Sequence, residues 1–288
     1  MVTTPLREKM RERMRIRNYS VRTTEAYVSA VARFANHFHR SPESLGAAEV
    51  EAFQLHLRDV EKVSWSLFNQ VTSALRFFYR EILERSEVAA RIPYGRRERK
   101  LPVVLSREEL VEFFRAIDDF RYLVLLLVVY SAGLRLGEAV RLRCSDIDSA
   151  RMLIRVRQGK GKKDRYVPLS PFVLELLRDY YRRIRPRHEF LFSATRDPHR
   201  HLNEASVQKY VCGVSRRAAL GKSVSTHTLR HCFATHLIEQ GTSTRVIQVL
   251  LGHTSSKTTE TYTHVSPQTL TRACGPLDEI ISLLSSSR

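Results

Sequence analysis

Acidic residues are scarce in this chain. Its 288 residues include 30 Asp and Glu against 48 Lys and Arg, a formal net charge of +18. A surface so biased repels itself when compact, and a polyanionic partner is the natural explanation. Cysteine is sparser still. Cys144, Cys212, Cys232 and Cys274 lie far apart and form no C-x-x-C pair, which argues against a zinc finger and against a disulfide framework. A reducing, cytoplasmic setting is expected. Long apolar runs are missing as well: the longest, Tyr122 to Tyr130, is far too short to span a bilayer and reads as a buried helix. No apolar segment follows Met1-Val2-Thr3-Thr4-Pro5, so neither a secretory signal nor a membrane partner is expected.

The positive charge that is present is clustered. Residues 1–40 hold nine Lys and Arg against three acids, residues 151–167 hold seven against one, and residues 91–100 hold five against one. Charge alone does not separate DNA from RNA or from an acidic membrane, but this clustering favours nucleic acid. The length suits two domains. Residues 1–90 read as all-helical: Tyr27, Val28, Val31, Phe34, Ala35 and Phe38 recur at helical spacing behind a Ser20 cap. A short helix is expected from about Ala47 to Leu57. Another, from about Ser64 to Leu83, buries Leu67, Val71, Ala74, Leu75, Phe78 and Ile82 and carries Arg76 and Arg80 on its other side. A basic linker follows at 91–105, kept extended by Pro93 and Pro102. From Ser106 the pattern changes: Ser106 and Glu109 form a capping box, a buried helix runs from Asp119 to about Ser131, and strands fit Met152–Arg157 and Arg165–Leu169. The turn between them, Gln158 to Asp164, is rich in Gly and Lys. Pro171 opens a helix, and the rest to Val265 reads as helical with short loops. The expected fold is thus mainly α with a small β-sheet, as a helical domain (1–90), the linker, an α+β domain (106–275) and a tail helix (276–288).

Four clusters could carry chemistry. Arg135 follows a Gly-marked helix end in Gly133-Leu134-Arg135-Leu136-Gly137-Glu138, where a guanidinium on a rigid base can present a fork to phosphate; the plainer reading is a surface ion pair with Glu138. Lys160 is one of three lysines in the hairpin turn, with Lys162 and Lys163. His227 and Arg230, three apart on a helix, share a face, and a proton-transfer group beside a guanidinium suits a phosphate reaction centre. His227 and His231 also have the i,i+4 spacing of a zinc helix, yet no Glu follows His227 and no third ligand is evident, so no metal is expected. Finally, Tyr262 lies nine residues after His253. A phenol is a poor nucleophile unless cations stabilise the phenolate and the transition state.

In this order, Gly133-Leu134-Arg135-x-x-Glu138, Gly159-Lys160-Gly161, His227-x-x-Arg230-His231, Leu251-Gly252-His253 and Tyr262-Thr263-His264 resemble the tyrosine recombinase (phage integrase) family, closest to its Xer-type members. The first block, with Ser20-x-x-Thr23-x-x-x-Tyr27 and the Asn69–Phe78 stretch, is similar to the family's core-binding domain. The resemblance implies a site-specific recombinase or integrase acting on double-stranded DNA. Tyr262 would attack a phosphate to give a 3′-phosphotyrosyl link. Arg135 and Arg230 would hold the non-bridging oxygens, His227 and His253 would position the phosphate and assist proton movement, Lys160 would protonate the leaving 5′-oxygen, and Glu138 would buttress the site. No ATP, metal or other cofactor is implied. The resemblance also implies a homotetramer on two DNA sites, possibly with a second recombinase, in the nucleoid. Arg76, Arg80, Lys162 and Lys163 are further candidates for DNA contact. Ala139, where leucine is usual, and Thr228, where aspartate is frequent, depart from the pattern. A type IB topoisomerase or a DNA-binding accessory protein are the alternatives.

Overall fold

Prolines and hydroxyl caps mark where several of the described helices begin. The structure, a computed structural model, describes residues 4–96, 102–157, 164–186, 188–252 and 277. It divides into two units, Met1–Lys100 and Leu101–Arg288. In the first, α1 (Pro5–Ile16) starts at a proline, whose fixed φ suits the first helical position. Helix α2 (Val21–Phe38) starts where the Ser20 hydroxyl accepts the Thr23 N–H at 3.1 Å, and it ends at His39 in the left-handed region. Helix α3 (Ala47–Leu55) runs into a π turn, His56–Val60. Helix α4 (Trp65–Phe77), capped by Ser64, runs into a second, Phe78–Ile82, before α5 (Ser86–Arg91). Met14, Phe34, Phe53, Leu75, Phe78 and Tyr79 fill the core. The Tyr79 hydroxyl donates to the Leu45 carbonyl at 2.9 Å, and burial pushes its pKa up to about 12. Leu67, expected in this core, is 38% exposed; it lies in the first turn of α4, where the larger Phe68 takes the core side.

Residues 92–96 are fastened to this unit. Asn69 clamps the Gly95 backbone, donating to its carbonyl at 3.0 Å and accepting its N–H at 2.9 Å. Gln54 donates to the Pro93 carbonyl at 3.1 Å and Arg76 to that of Ile92 at 2.6 Å. A Cβ on Gly95 would fall 2.4 Å from the Trp65 ring, so the close approach needs glycine.

The second unit holds α6 (Arg107–Arg115), α7 (Phe120–Ser131), α8 (Leu136–Ala139), β1 (Ile147–Asp148), β2 (Leu153–Val156), β3 (Arg165–Pro168), α9 (Pro171–Ile184), α10 (Glu204–Arg217), α11 (Thr226–Glu239) and α12 (Thr244–Leu251). The expected capping box forms: Glu109 accepts the Ser106 N–H at 2.8 Å, and the Ser106 hydroxyl accepts the Glu109 N–H at 3.2 Å. Every residue of α7 from Val124 to Ser131 is buried, with α9 and α11 packed against the helix. The strands form one antiparallel sheet in the order β1-β2-β3, with Val156 opposite Arg165.

Three details of the second unit differ from expectation. Met152 does not open β2 but sits at φ 54°, and the two-residue β1 carries too short a pattern to be seen in sequence. Residues 185, 186 and 188–203 are not helical; Pro186 and Pro198 interrupt the chain, and bridges from Arg143 to Phe190 and from Ser193 to His201 seat Leu191, Phe192 and Leu202 in the core. The fold is mainly helical with a small sheet, as expected. Among the described residues no helix is long and apolar enough to cross a membrane.

Candidate active site

The turn after α7 sets the site. Gly133 has φ +59°, and a Cβ there would lie 2.4 Å from the Phe233 ring of α11, so both conformation and space require glycine. Its carbonyl accepts Arg230 Nη1 at 2.6 Å, while Arg230 Nη2 donates to the Leu251 carbonyl at the end of α12. Arg230 is therefore held between α7 and α12 with 8% of its side chain exposed.

Two residues on, Arg135 caps α8. Glu138 accepts the Arg135 backbone N–H on Oε2 and Arg135 Nη1 on Oε1, each at 2.9 Å. This carboxylate is 8% exposed, so the pair is not the surface salt bridge that the sequence allowed. Glu138 is shared. Arg165, at the start of β3, forks onto it with Nη1 to Oε1 at 2.9 Å and Nη2 to Oε2 at 2.8 Å, and Arg165 Nε donates to the Leu250 carbonyl at 2.9 Å. Arg230 Nη1 stands 3.9 Å from Oε2. Burial pushes the Glu138 pKa up, but hydrogen bonds and charge from Arg165, then the Arg135 amide and guanidinium, outweigh it and hold the group down at about 2. Burial, then the charge of Arg135, lowers Arg230 to about 10. Three guanidiniums thus gather around one carboxylate, an excess of positive charge in a largely desolvated place.

His227 opens α11 on its exposed side. The Ser225 hydroxyl accepts the Thr228 N–H at 3.1 Å and Thr228 Oγ1 accepts the Ser225 N–H at 3.1 Å, which caps the helix and puts His227 in its first turn. Thr228, one of the two departures from the family pattern, is used in this cap. Partial desolvation, then the charges of His231, Arg230 and Arg135, lower the His227 pKa and so favour the neutral ring. The same face carries His231, with ring centroids 6.1 Å apart. Farther along, His236 is a satisfied core histidine between the Tyr130 hydroxyl at 2.9 Å and the Leu105 carbonyl at 3.1 Å. Among the described residues no group of three or more His, Cys, Asp or Glu is gathered to hold a metal.

The structure thus brings Arg135, Glu138, His227 and Arg230 together, joined by Arg165, which the sequence reading took only as a strand residue. Its signal was strand alternation: Arg165 lies two and four residues before Val167 and Leu169, both buried, so it points to the same side. Lys160, Lys162, Lys163, His253 and Tyr262 lie outside the described residues, as does the tail 276–288 apart from Leu277, which is buried in the core of the second unit. Of the first-unit candidates, Arg76 is engaged with the Ile92 carbonyl and the Tyr94 ring, and Arg80 with Glu81.

Residues 104–269 match the phage integrase family model, and residues 6–87 match the phage integrase N-terminal SAM-like domain. A putative integrase/recombinase of Sinorhizobium fredii is 41% identical over 280 residues, covering 96% of this chain and 90% of the relative. A tyrosine recombinase XerC of Lacticaseibacillus casei is 30% identical over 274 residues, covering 87% and 90%. A crystal structure of the XerH site-specific recombinase bound to its difH substrate, a pre-cleavage complex, shares the fold with a TM-score of 0.67 at 24% identity, covering 94% of this chain and 84% of that one.

Proposed function

Because the chain belongs to the phage integrase family of tyrosine-type site-specific recombinases, we propose that it cuts and rejoins double-stranded DNA through a 3′-phosphotyrosyl intermediate on Tyr262. The observation that carries this reading is the group of Arg135, Arg165 and Arg230 around the single carboxylate of Glu138. Such an excess of buried cation calls for an anion, and planar guanidiniums match the non-bridging oxygens of a phosphodiester. Charge developing on those oxygens in the pentacovalent transition state would meet donors already oriented.

In this mechanism Tyr262 Oη attacks phosphorus and the bond to the 5′-oxygen breaks, with Lys160 delivering the proton that the leaving oxygen needs. Arg135 and Arg230 bind the non-bridging oxygens. His227 and His253 orient the phosphate and take part in moving the phenolic proton. The phosphodiester energy stays in the tyrosyl linkage, so a 5′-hydroxyl from the same or another duplex can reverse the step. Residues 1–90 would serve as a core-binding domain and 106–275 as the catalytic domain, closing on the duplex around the basic 91–105 linker. Synapsis of two sites by a homotetramer follows from the same reading, with strand exchange between duplexes.

The test uses a nicked suicide duplex built on the inverted repeats that the protein protects, beginning with DNA flanking its own gene. A covalent protein–DNA adduct that survives denaturation should accumulate in EDTA and without nucleotide. Adduct that requires added zinc or magnesium would instead favour metal binding by His227 and His231.

A further inference from the structure

Arg165 occupies a place in the site that its sequence position does not advertise. Each oxygen of Glu138 takes two donors: Oε1 takes Arg135 Nη1 and Arg165 Nη1, and Oε2 takes the Arg135 amide and Arg165 Nη2. A carboxylate offers about four lone-pair positions, so Glu138 is saturated. The third nitrogen of Arg165, Nε, is bound to the Leu250 carbonyl. Its side chain also fills the space beside Gly252, where a Cβ would lie 3.2 Å from Arg165 Cδ. Arg165 therefore ties β3, α8 and the end of α12 to one another, and all three of its nitrogens are used internally.

Without Arg165, both Glu138 oxygens would regain an open acceptor position in a buried place. The cations in reach are Arg135, already bound through Nη1, and Arg230, whose Nη1 is 3.9 Å away. Coulomb attraction at low dielectric would turn the carboxylate onto them and take up donors otherwise presented to a ligand. We infer that Arg165 is a positioning residue which, by saturating Glu138 and locking its plane, leaves the donors of the Arg135 guanidinium other than the one already on Glu138 to bind the scissile phosphate. This rests on the reading of Arg135 as a phosphate ligand. Arg165 touches neither substrate nor nucleophile in this account; it acts through Glu138.

The experiment is a double-mutant cycle on the suicide duplex, comparing the unsubstituted protein, Arg165→Gln, Arg135→Lys and the double variant in single-turnover adduct formation. Half-site affinity is measured in parallel. A misplaced catalytic group costs on the order of 10²-fold in rate, and Arg165→Gln should lose about that much while half-site Kd stays within about twofold. In the Arg135→Lys background the further loss from Arg165→Gln should shrink to about threefold or less, because the group it positions is already impaired. Arg165→Lys keeps the charge but not the fork, and should fall between the unsubstituted protein and Arg165→Gln. It also serves as the cycle's arm if Arg165→Gln does not fold, with the same non-additivity expected. An unchanged rate in the Arg165 variants, or an equal fold-loss in both Arg135 backgrounds, overturns the inference. Absence of any adduct with the unsubstituted protein would instead remove the reading of the site, and this inference with it.

Discussion

Glu138 shows how a single carboxylate can organise a cationic site. Its pKa is about 2 in the folded chain and near 4.5 when unfolded. Because the folded value is the lower one, its ionisation contributes stability that is fully present above about pH 4.5 and is lost as the pH falls toward 2. A shift of this size amounts to about 3 kcal/mol for a group so buried. Glu138→Gln should therefore destabilise the protein by roughly 3–5 kcal/mol at neutral pH, since it leaves buried guanidiniums without their counter-charge. Urea midpoints measured against pH give the check. The difference between the two proteins should be constant above about pH 5 and shrink between about 4.5 and 2. A difference independent of pH over that window would mean that Glu138 is not the shared partner described. Arg135, Glu138, His227 and Arg230 were legible as candidates from their order and spacing, but Glu138's second guanidinium was not. Seven cations crowd residues 151–167, and Asp164 and Asp146 engage Arg155 and Arg157. Strand alternation puts Arg165 on the buried side, but only tertiary packing joins it to Glu138.

At the scale of elements, the turn from α7 to α8 is the most exacting. Gly133→Ala would impose a left-handed conformation on a residue with a Cβ, costing roughly 1–2 kcal/mol, and would press that Cβ onto the Phe233 ring, adding about 1–3 kcal/mol. The expected result is a Tm lowered by on the order of 10 °C, and a fall in adduct formation beyond the loss of folded protein, because the Gly133 carbonyl also holds Arg230. An unchanged Tm would contradict the geometry of this turn. Helices with clean periodicity or caps, such as α2 behind Ser20 and α6 behind Ser106, were readable from sequence. The 185–203 segment was not: its Phe190-Leu191-Phe192 run looks the same whether it ends in a helix or docks as isolated bridges. The clamp of Asn69 on Gly95 is likewise a contact between residues too far apart in the chain for any local pattern to betray.

For the whole molecule, the proposed assembly turns on the C-terminal tail. In the sequence Leu277, Ile280, Ile281 and Leu284 recur at three- and four-residue spacing, and a helix of that length would not stand alone in water. Leu277 belongs to the core of its own second unit, so a truncation that tests the remainder should begin after it. Deleting 278–288 should spare folding and binding to a single half-site while weakening cooperative binding to the paired site and reducing recombination. Full cooperativity in the truncated protein would rule out a role for the tail in linking subunits. All of this presupposes the chemistry at Tyr262, and the most direct measurement is to map the covalent adduct. The unsubstituted protein, trapped on a suicide duplex and digested, should yield one DNA-linked peptide containing Tyr262. Tyr262→Phe should form no adduct yet bind the same duplex with nearly the same affinity, because one hydroxyl is a small part of a large charged interface. A denaturation-stable adduct formed by the Phe variant, or a DNA link on any other residue, would contradict the account.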